Sequence, residues 1–424
     1  MMDSHNQGAR STANPFKVLI AGGCYSGLAA AINLLDKCDS ALDARIPVSI
    51  TIVDERSGFF HVIGSPLALS SKDYADKCWV DFADVKILQR PDVRFVHGRV
   101  RKVDPATRTA TILESSSEQP TQETYDYFIA ATGLRRAWPV VPQSLTRKTY
   151  LREAGGHIDA VRGSRYPVLV VGGGAVGIEM AAELKMVAPD VQVTLAHSRD
   201  KLLSAEPLPD DVKDRALELV REAGVETLMG HRLLSSLPLK PEGGDSGYEV
   251  EFTNGHKMTA SVVIEAISRS VPSTDYLPAA ALADDTQLVN IRPTMQIALT
   301  EAELPNADRH FAVGDLINWS GIKRCGAAMH EGRFAGLNIH QLMLQELSSF
   351  SSSTSEKEKH VPEFQELAEI PPMIGLAVGK MGLSYGPDVG MQSGEDVLKL
   401  FFEDDLGFNI VWKYLRLGQD PVKV

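Results

Sequence analysis

Short runs of apolar residues alternate with Ala-rich helical runs along most of this chain, and twice the junction between them is rich in glycine. The first junction is Val18-Leu19-Ile20-Ala21-Gly22-Gly23-Cys24-Tyr25-Ser26-Gly27, and the second is Val168-Leu169-Val170-Val171-Gly172-Gly173-Gly174-Ala175-Val176-Gly177. Four consecutive apolar residues, largely β-branched, read as a strand buried on both faces, and the Ala-rich run after each loop reads as a helix packed on it. A strand, a tight glycine turn and a helix N-terminus together make a diphosphate site. The glycines admit the phosphates close to the backbone, and the unpaired N–H groups and the helix dipole face the anion. Two such junctions predict two dinucleotides held at once, an arrangement suited to passing electrons between them.

The same patterning predicts the remaining elements. Residues 28–35 continue the first helix, and 48–53 form a strand ending at Asp54. Residues 93–103 and 107–113 read as strands of an insertion, with 114–123 as its exposed polar loop. Residues 127–131 form a buried strand closed by Thr132-Gly133, and 136–143, with two prolines and a Trp, read as a crossover. The second unit begins near Tyr166. It continues as a helix through Ile178 and Leu184, a strand at 191–196, a helix at 210–223, and a hairpin turning at Asn254-Gly255 between 248–252 and 257–263. A buried strand at 310–313 precedes Gly314-Asp315, and 327–344 reads as a long helix. Residues 348–359 hold almost no apolar side chain and read as a mobile linker. Order resumes at 374–378 and 398–402. The apolar and aromatic stretch 410–417 carries Lys413 and Arg416, and has two readings: a helix docked on the protein, or one resting on a membrane surface.

These elements predict an α/β fold with two Rossmann-like dinucleotide-binding domains and a smaller C-terminal α+β segment. A tail (1–14) precedes a first dinucleotide domain in two parts, 15–140 and 273–345. The second dinucleotide domain, 141–272, lies between those parts. A linker (346–361) then leads to the C-terminal segment (362–424).

Composition narrows the function. With 424 residues, 44% hydrophobic and 23% charged, the chain can build two or three cored domains. Its net charge of −12 argues against nucleic acid as a main partner, since phosphate binding needs a basic surface. The acidity also provides no general attraction to anionic membranes. No apolar run reaches spanning length. The chain starts Met-Met-Asp, without the Gly that N-myristoylation requires, and its first 14 residues read as a disordered tail. Membrane contact is therefore expected only through the C-terminal segment. Cys24, Cys38, Cys78 and Cys325 stand far apart, as free thiols of a reducing, cytoplasmic compartment do. A disulfide reductase needs a closely spaced redox pair, which this spacing excludes. No H-E-x-x-H or C-x-x-C pattern occurs, so no metal site is expected. The sequence does not set an oligomeric state.

The candidate cofactor residues follow from the loops. In the first, Gly22, Gly23, Ser26 and Gly27 surround Cys24, which replaces the middle glycine and reads either as a tolerated small residue or as a redox thiol. Asp54, at the next strand end, can accept hydrogen bonds from a ribose diol. The second loop is complete, with Gly172, Gly174, Val176, Gly177 and then Glu179. Its strand end carries His197-Ser198-Arg199 instead of an acid, which permits NADPH as well as NADH, while a solvated Arg199 is the alternative. Gly314-Asp315 closes a short buried strand and can face the ribityl and diphosphate region of a flavin.

Taken in order, Gly22–Gly27, Asp54, Phe59-Phe60-His61, Ala131 to Arg136, Gly172 to Glu179, His197-Ser198-Arg199 and Gly314-Asp315 resemble the two-dinucleotide, glutathione-reductase-like flavoprotein reductases. More narrowly, they resemble the AMID/ferroptosis-suppressor branch of the apoptosis-inducing-factor family, fungal members in particular. The resemblance implies non-covalent FAD, NADH or NADPH as donor, and a small quinone-like electron acceptor. It also places Lys323 near the flavin ring, where a cation would favour the anionic reduced state; an ordinary helix-start lysine is the alternative. His61 is placed after the acidic strand end, either as a proton donor to a quinone oxygen or as a packed histidine. The chain departs from the pattern at Cys24, at Glu265-Ala266-Ile267-Ser268, and in lacking the myristoylation signal. Two other functions stay open: a flavoenzyme tailoring a small molecule in secondary metabolism, and a flavoprotein with a binding role in cell-death signalling.

Overall fold

The computed structural model describes residues 10–40, 45–239, 247–267, 270–351 and 360–422. Its largest sheet has seven strands in the order His310–Ala312, Tyr127–Ala130, Phe16–Ala21, Val48–Asp54, Val93–Asp104, Thr109–Glu114 and Thr121–Thr124. The first five are parallel and the last two run antiparallel. A second sheet, Glu226–Leu228, Val193–Ala196, Val168–Val171 and Val262–Glu265, is parallel throughout. Parallel strands need crossovers that cover both faces, which is why Val18–Ala21 and Val168–Val171 are apolar without alternation and are buried. The architecture is the expected α/β fold with Rossmann-like sheets.

In the first unit, helices Tyr25–Asp39 and Cys325–Ser351 run side by side in the same direction. A Cβ on Gly332 would lie 2.1 Å from the Ser26 carbonyl oxygen, and one on Gly336 would lie 2.6 Å from that of Ala30. Both helices therefore begin at the C-terminal edge of the parallel strands, where open α/β sheets bind ligands. The two chain passages between the units pair with each other, Leu134–Arg135 against Val271–Pro272. The C-terminal hairpin Ile374–Val378/Met381–Gly386/Gly390–Gly394 packs its apolar face into the core of the second unit. Helix Phe408–Tyr414 buries Phe408 and Val411 in the core of the first, followed there by Leu415 and Leu417.

Several expectations are corrected. The polar stretch 114–123 is not all loop, because Thr121–Thr124 adds an edge strand to Thr109–Glu114. Ladder hydrogen bonds tolerate polar side chains on an exposed edge, so polarity was a misleading signal there. The run 257–263 splits at Ser261 between the antiparallel hairpin and the parallel sheet. After the crossover comes an unanticipated helix, Arg147–Arg162, whose apolar side is only Tyr150, Ala154, Ile158 and Val161. The long helix extends through Ser351 and takes the first residues of the expected linker, whose residues 352–359 lie outside the described residues. Residues 1–9 of the tail also lie outside them. Of residues 10–14, Ser11 to Asn14 are exposed, but Arg10 is anchored: it bridges Asp126 (3.0 Å) and Glu346 (2.7 Å), with its guanidinium 4.1 Å from the Phe16 ring centre. Among the described residues, no helix is long and apolar enough to cross a membrane. The stretch 410–417 is docked on the protein, with Trp412 stacked on Phe408 at 5.5 Å.

Candidate functional site

The two glycine loops are built alike, residue for residue. Gly22 and Gly172 have φ of +109° and +123°, open to glycine and strained for other residues. A Cβ on Gly22 would lie 2.3 Å from the Ala131 carbonyl oxygen, and one on Gly172 would lie 2.5 Å from that of Ala266. Ala131 and Ala266 each follow the neighbouring parallel strand, so each loop sits where the sheet order reverses. Gly27 and Gly177 pack against the first glycine of their own loop, with a Cβ 1.9 Å and 1.8 Å from its oxygen. Val176 occupies the first turn of the helix, next to this contact.

The residue that ends the adjacent strand completes each loop. The Gly23 N–H donates to Asp54 Oδ2 at 2.6 Å, and the Arg56 N–H donates to Oδ1 at 2.8 Å. In the second unit the Gly173 N–H donates to His197 Nδ1 at 3.0 Å. That bond leaves the His197 proton on Nε2, which donates to Ser204 Oγ at 2.9 Å. Burial raises the Asp54 carboxyl above its ordinary range, against the pull of Arg56, and burial with Arg199 nearby holds His197 below its own.

The chemistry of this scaffold fits diphosphates. Helices Tyr25–Asp39 and Ala175–Val187 have no side-chain cap and no acidic residue in the first turn, so their leading N–H groups face an anion without competition. A Cβ on Gly174 meets nothing within 4 Å, which is the open approach a diphosphate needs. Cys24 takes the matching place in the first loop, and its thiol turns aside to the Phe60 carbonyl at 3.5 Å. Burial pushes that thiol up to about 12, so it is protonated and inert at neutral pH, the behaviour of a tolerated small residue. Two buried guanidinium nitrogens, Arg56 Nε and Arg324 Nε, also lack a partner.

On the opposite wall, Gly314 (φ +85°) packs against Ser26, and its N–H donates to the buried Glu331 at 2.7 Å. Asp315 pairs with Arg136 at 3.2 Å. The Lys323 ammonium donates to the Ile317 carbonyl and is lowered by burial, against the pull of Glu331 and Asp315. Gly133 (φ +63°) lies in open space, while the Thr132 hydroxyl donates to the Ser273 carbonyl at 2.7 Å. The first loop, Asp54, Thr132-Gly133 and Gly314-Asp315 thus line the C-terminal edge of the first sheet.

His61 lies apart from solvent at 0% exposure. Its Nε2 donates to the Leu406 carbonyl at 3.0 Å, and its Nδ1 accepts from the Tyr25 hydroxyl at 3.2 Å. Burial pushes it down to about 4, so it is neutral and both nitrogens are engaged. In this arrangement His61 ties the C-terminal segment to the first unit. Lys77–Asp405 (2.7 Å) and the Tyr74 hydroxyl on the Asp405 carbonyl (2.5 Å) tie the same segment. Glu331 and Ser204 escaped sequence reasoning because each acts through a contact that leaves no spacing motif, and Arg136 entered only as the end of a motif, without its distant partner Asp315. The Gly332-x-x-x-Gly336 spacing was a readable sign of close helix packing.

Glu179 and Glu183 sit one turn apart on helix Ala175–Val187. Glu179 accepts from the Ala377 N–H at 3.2 Å, and Glu183 is 2% exposed. Burial pushes both up to about 8. An unfolded glutamate near 4.5 loses its proton first, so this pair stabilises the fold below that pH and the stabilisation drains away as pH rises through about 8. Glu183→Gln is expected to raise Tm by several degrees at pH 8 and to leave it nearly unchanged at pH 5. Thermal denaturation across that range checks this, and a lower Tm at pH 8 would contradict it.

Comparison with known proteins agrees with this geometry. The model of the pyridine nucleotide-disulphide oxidoreductase family matches residues 16–332, and the chain belongs to that family. Membership brings its cofactor pair, FAD and NAD(P)H. The chain is 47% identical to Oxidoreductase OXR1 of Ajellomyces capsulatus, over 97% of its own length and 90% of the relative's. It is 27% identical to Ferroptosis suppressor protein 1 of Taeniopygia guttata, over 77% and 80%. Reduced Bacillus anthracis CoADR-RHD shares the fold at a TM-score of 0.64 and 18% identity; the match covers 91% of this chain and 63% of that one.

Proposed function

We propose that this oxidoreductase transfers reducing equivalents from NAD(P)H to a quinone or a similarly conjugated carbonyl, in the first instance a small diffusible one. The supporting observation is the pairing of two dinucleotide loops with the absence of any redox cysteine pair. The family name includes a disulphide, yet Cys24, Cys38, Cys78 and Cys325 are all free. With no dithiol to relay electrons, the acceptor must meet the flavin directly.

When bound, FAD supplies a two-electron carrier that takes hydride from the nicotinamide and returns electrons to the acceptor. The chain's own contribution is position and charge. The Gly22–Gly27 loop and the Tyr25–Asp39 helix N-terminus hold the flavin diphosphate, and Asp54 takes the ribose diol. Gly133 and Asp315 would offer backbone and carboxylate groups to the ribityl chain, on a turn that Gly314 makes with its N–H held by Glu331. Lys323, its ammonium held by the Ile317 carbonyl, would supply a positive charge to the flavin ring. The Gly172–Gly177 loop, with Val176 and Glu179 on its helix, His197 and Arg199, holds the pyridine nucleotide. Holding both dinucleotides in place removes the entropy of bringing them together, so no acid–base residue has to lower the barrier to hydride transfer.

The test is an anaerobic titration of purified protein with NADH and NADPH, followed by reoxidation with simple quinones. Rapid bleaching and rapid quinone reoxidation are expected. Bleaching with no quinone reoxidation would leave an NAD(P)H oxidoreductase with a different acceptor, the outcome that points to tailoring of one complex metabolite. A protein that takes up no flavin would end the reading.

A further inference from the structure

The two dinucleotide units share a backbone plan and differ in charge at one position. Asp54 and His197 occupy the same place, after the strand parallel to the one that leads into the loop, and each accepts the N–H of the loop's second glycine. A carboxylate there suits a ribose diol and repels a phosphate on the 2′ oxygen. A neutral imidazole secures the loop equally well without that repulsion. The Nε2 bond to Ser204 fixes the ring, so His197 cannot rotate to offer a different atom to the loop.

The same serine also orients a cation. The Arg199 guanidinium donates to the Ser204 carbonyl at 3.0 Å, while the residue is otherwise exposed. Among the described residues no carboxylate forms an ion pair with it. Of the other charges nearby, Lys201 is held by Asp210 (3.1 Å) and Asp214 (3.0 Å), while exposed Asp200 has its Oδ1 3.8 Å from the Cβ position of Gly230 and no ion pair among the described residues. The chain segment running alongside, bonded through His231 to the His197 carbonyl and through Gly230 to that of Arg199, leads directly into exposed Arg232. Arg232 likewise has no ion pair among the described residues. Two guanidinium groups without an ion pair among the described residues, at a strand end that carries His197 in place of a carboxylate, form a setting for a dianionic phosphate.

We infer that the second unit selects NADPH over NADH, with Arg199 as the direct ligand of the 2′-phosphate and His197, braced by Ser204, as the positioning residue that keeps a carboxylate out of the site. The inference rests on the reading that this unit holds the pyridine nucleotide.

The test measures binding of 2′,5′-ADP and 5′-AMP to the flavin-loaded protein by calorimetry, alongside anaerobic bleaching by NADPH and NADH. The expected result is 2′,5′-ADP binding at least about tenfold more tightly than 5′-AMP, the scale of one charge-assisted contact. Arg199→Ala should erase about that factor for 2′,5′-ADP and leave 5′-AMP unchanged, and adding salt should weaken 2′,5′-ADP more than 5′-AMP in the parent. His197→Asp should reverse the preference toward NADH while flavin content holds. Equal affinity for the two adenylates, or an Arg199→Ala variant that keeps the preference, would overturn the selection while leaving the nucleotide reading intact. Failure of both adenylates to bind, with no bleaching by either reduced nucleotide, would remove that reading as well. Arg199 is exposed, so its variant folds even if the His197 variant does not.

Discussion

Gly174→Val is expected to give a folded, yellow protein whose reduction by NADH and NADPH is slowed by at least about a hundredfold. The structural grounds are specific to this glycine. Gly174 has φ −81°, which any residue adopts, and no atom lies within 4 Å of its Cβ position, so the substitution neither strains nor crowds the folded chain. The branched side chain instead fills the space through which a diphosphate approaches the uncapped helix. Losing the backbone N–H contacts and the dipole to that anion costs more than one charge-assisted hydrogen bond, or two decades and more in affinity. The flavin unit is untouched, so flavin content and Tm should match the parent. Stopped-flow bleaching under nitrogen checks the rate, and fast reduction would show that this loop does not bind the nucleotide. Gly177→Val is the informative contrast. Its Cβ would lie 1.8 Å from the Gly172 oxygen, so it should damage the fold itself.

Gly332→Val should lower Tm sharply and empty the flavin site. A helical glycine costs about 1 kcal/mol relative to alanine, so its presence in mid-helix needs a reason. Here the reason is the contact with Ser26, where a Cβ would lie 2.1 Å from the carbonyl oxygen and 2.9 Å from its carbon. A valine forces the two helices apart over the same turn that carries Ser26 and Gly27 of the proposed flavin diphosphate site. Overpacking of this kind costs about 1–3 kcal/mol or more, and the displaced N-terminus would lose its ligand as well. Gly156→Ala is the matched control: it is also helical, but it is exposed with nothing within 4 Å, and it should raise stability by about 0.5–1 kcal/mol. Thermal denaturation and the flavin-to-protein absorbance ratio of the three proteins would decide. A Gly332→Val variant with normal Tm and full flavin would mean that the helix contact is not needed to hold the cofactor.

Local pattern was enough to place both loops, because each is a contiguous run in which strand, turn and helix follow within about a dozen residues, and the geometry there depends on glycine itself. The same is true of Asp54 and His197, each reached by counting to the end of the next strand. The apolar run at 410–417 was readable as a helix. Docking was one of its two readings, but the partners were not legible, since Phe59 and His61 lie far back in the chain. Elsewhere the pattern misled. Thr121–Thr124 looked like loop because an exposed edge strand is held by its backbone, and helix Arg147–Arg162 stayed hidden behind a thin apolar face.

By itself, then, the sequence determined two dinucleotide folds and the glycines that open them, because those features follow from backbone sterics and short-range periodicity. Tertiary structure decided which polar groups serve them. Burial and a pair of distant partners made His61 a neutral tie to the C-terminal segment, and Glu331 became the acceptor for Gly314 only because two helices pack in parallel. Arg199 gained its orientation from the Ser204 carbonyl. Long-range contacts of this kind leave no spacing in the chain, since folding brings the partners together from positions that sequence order does not relate.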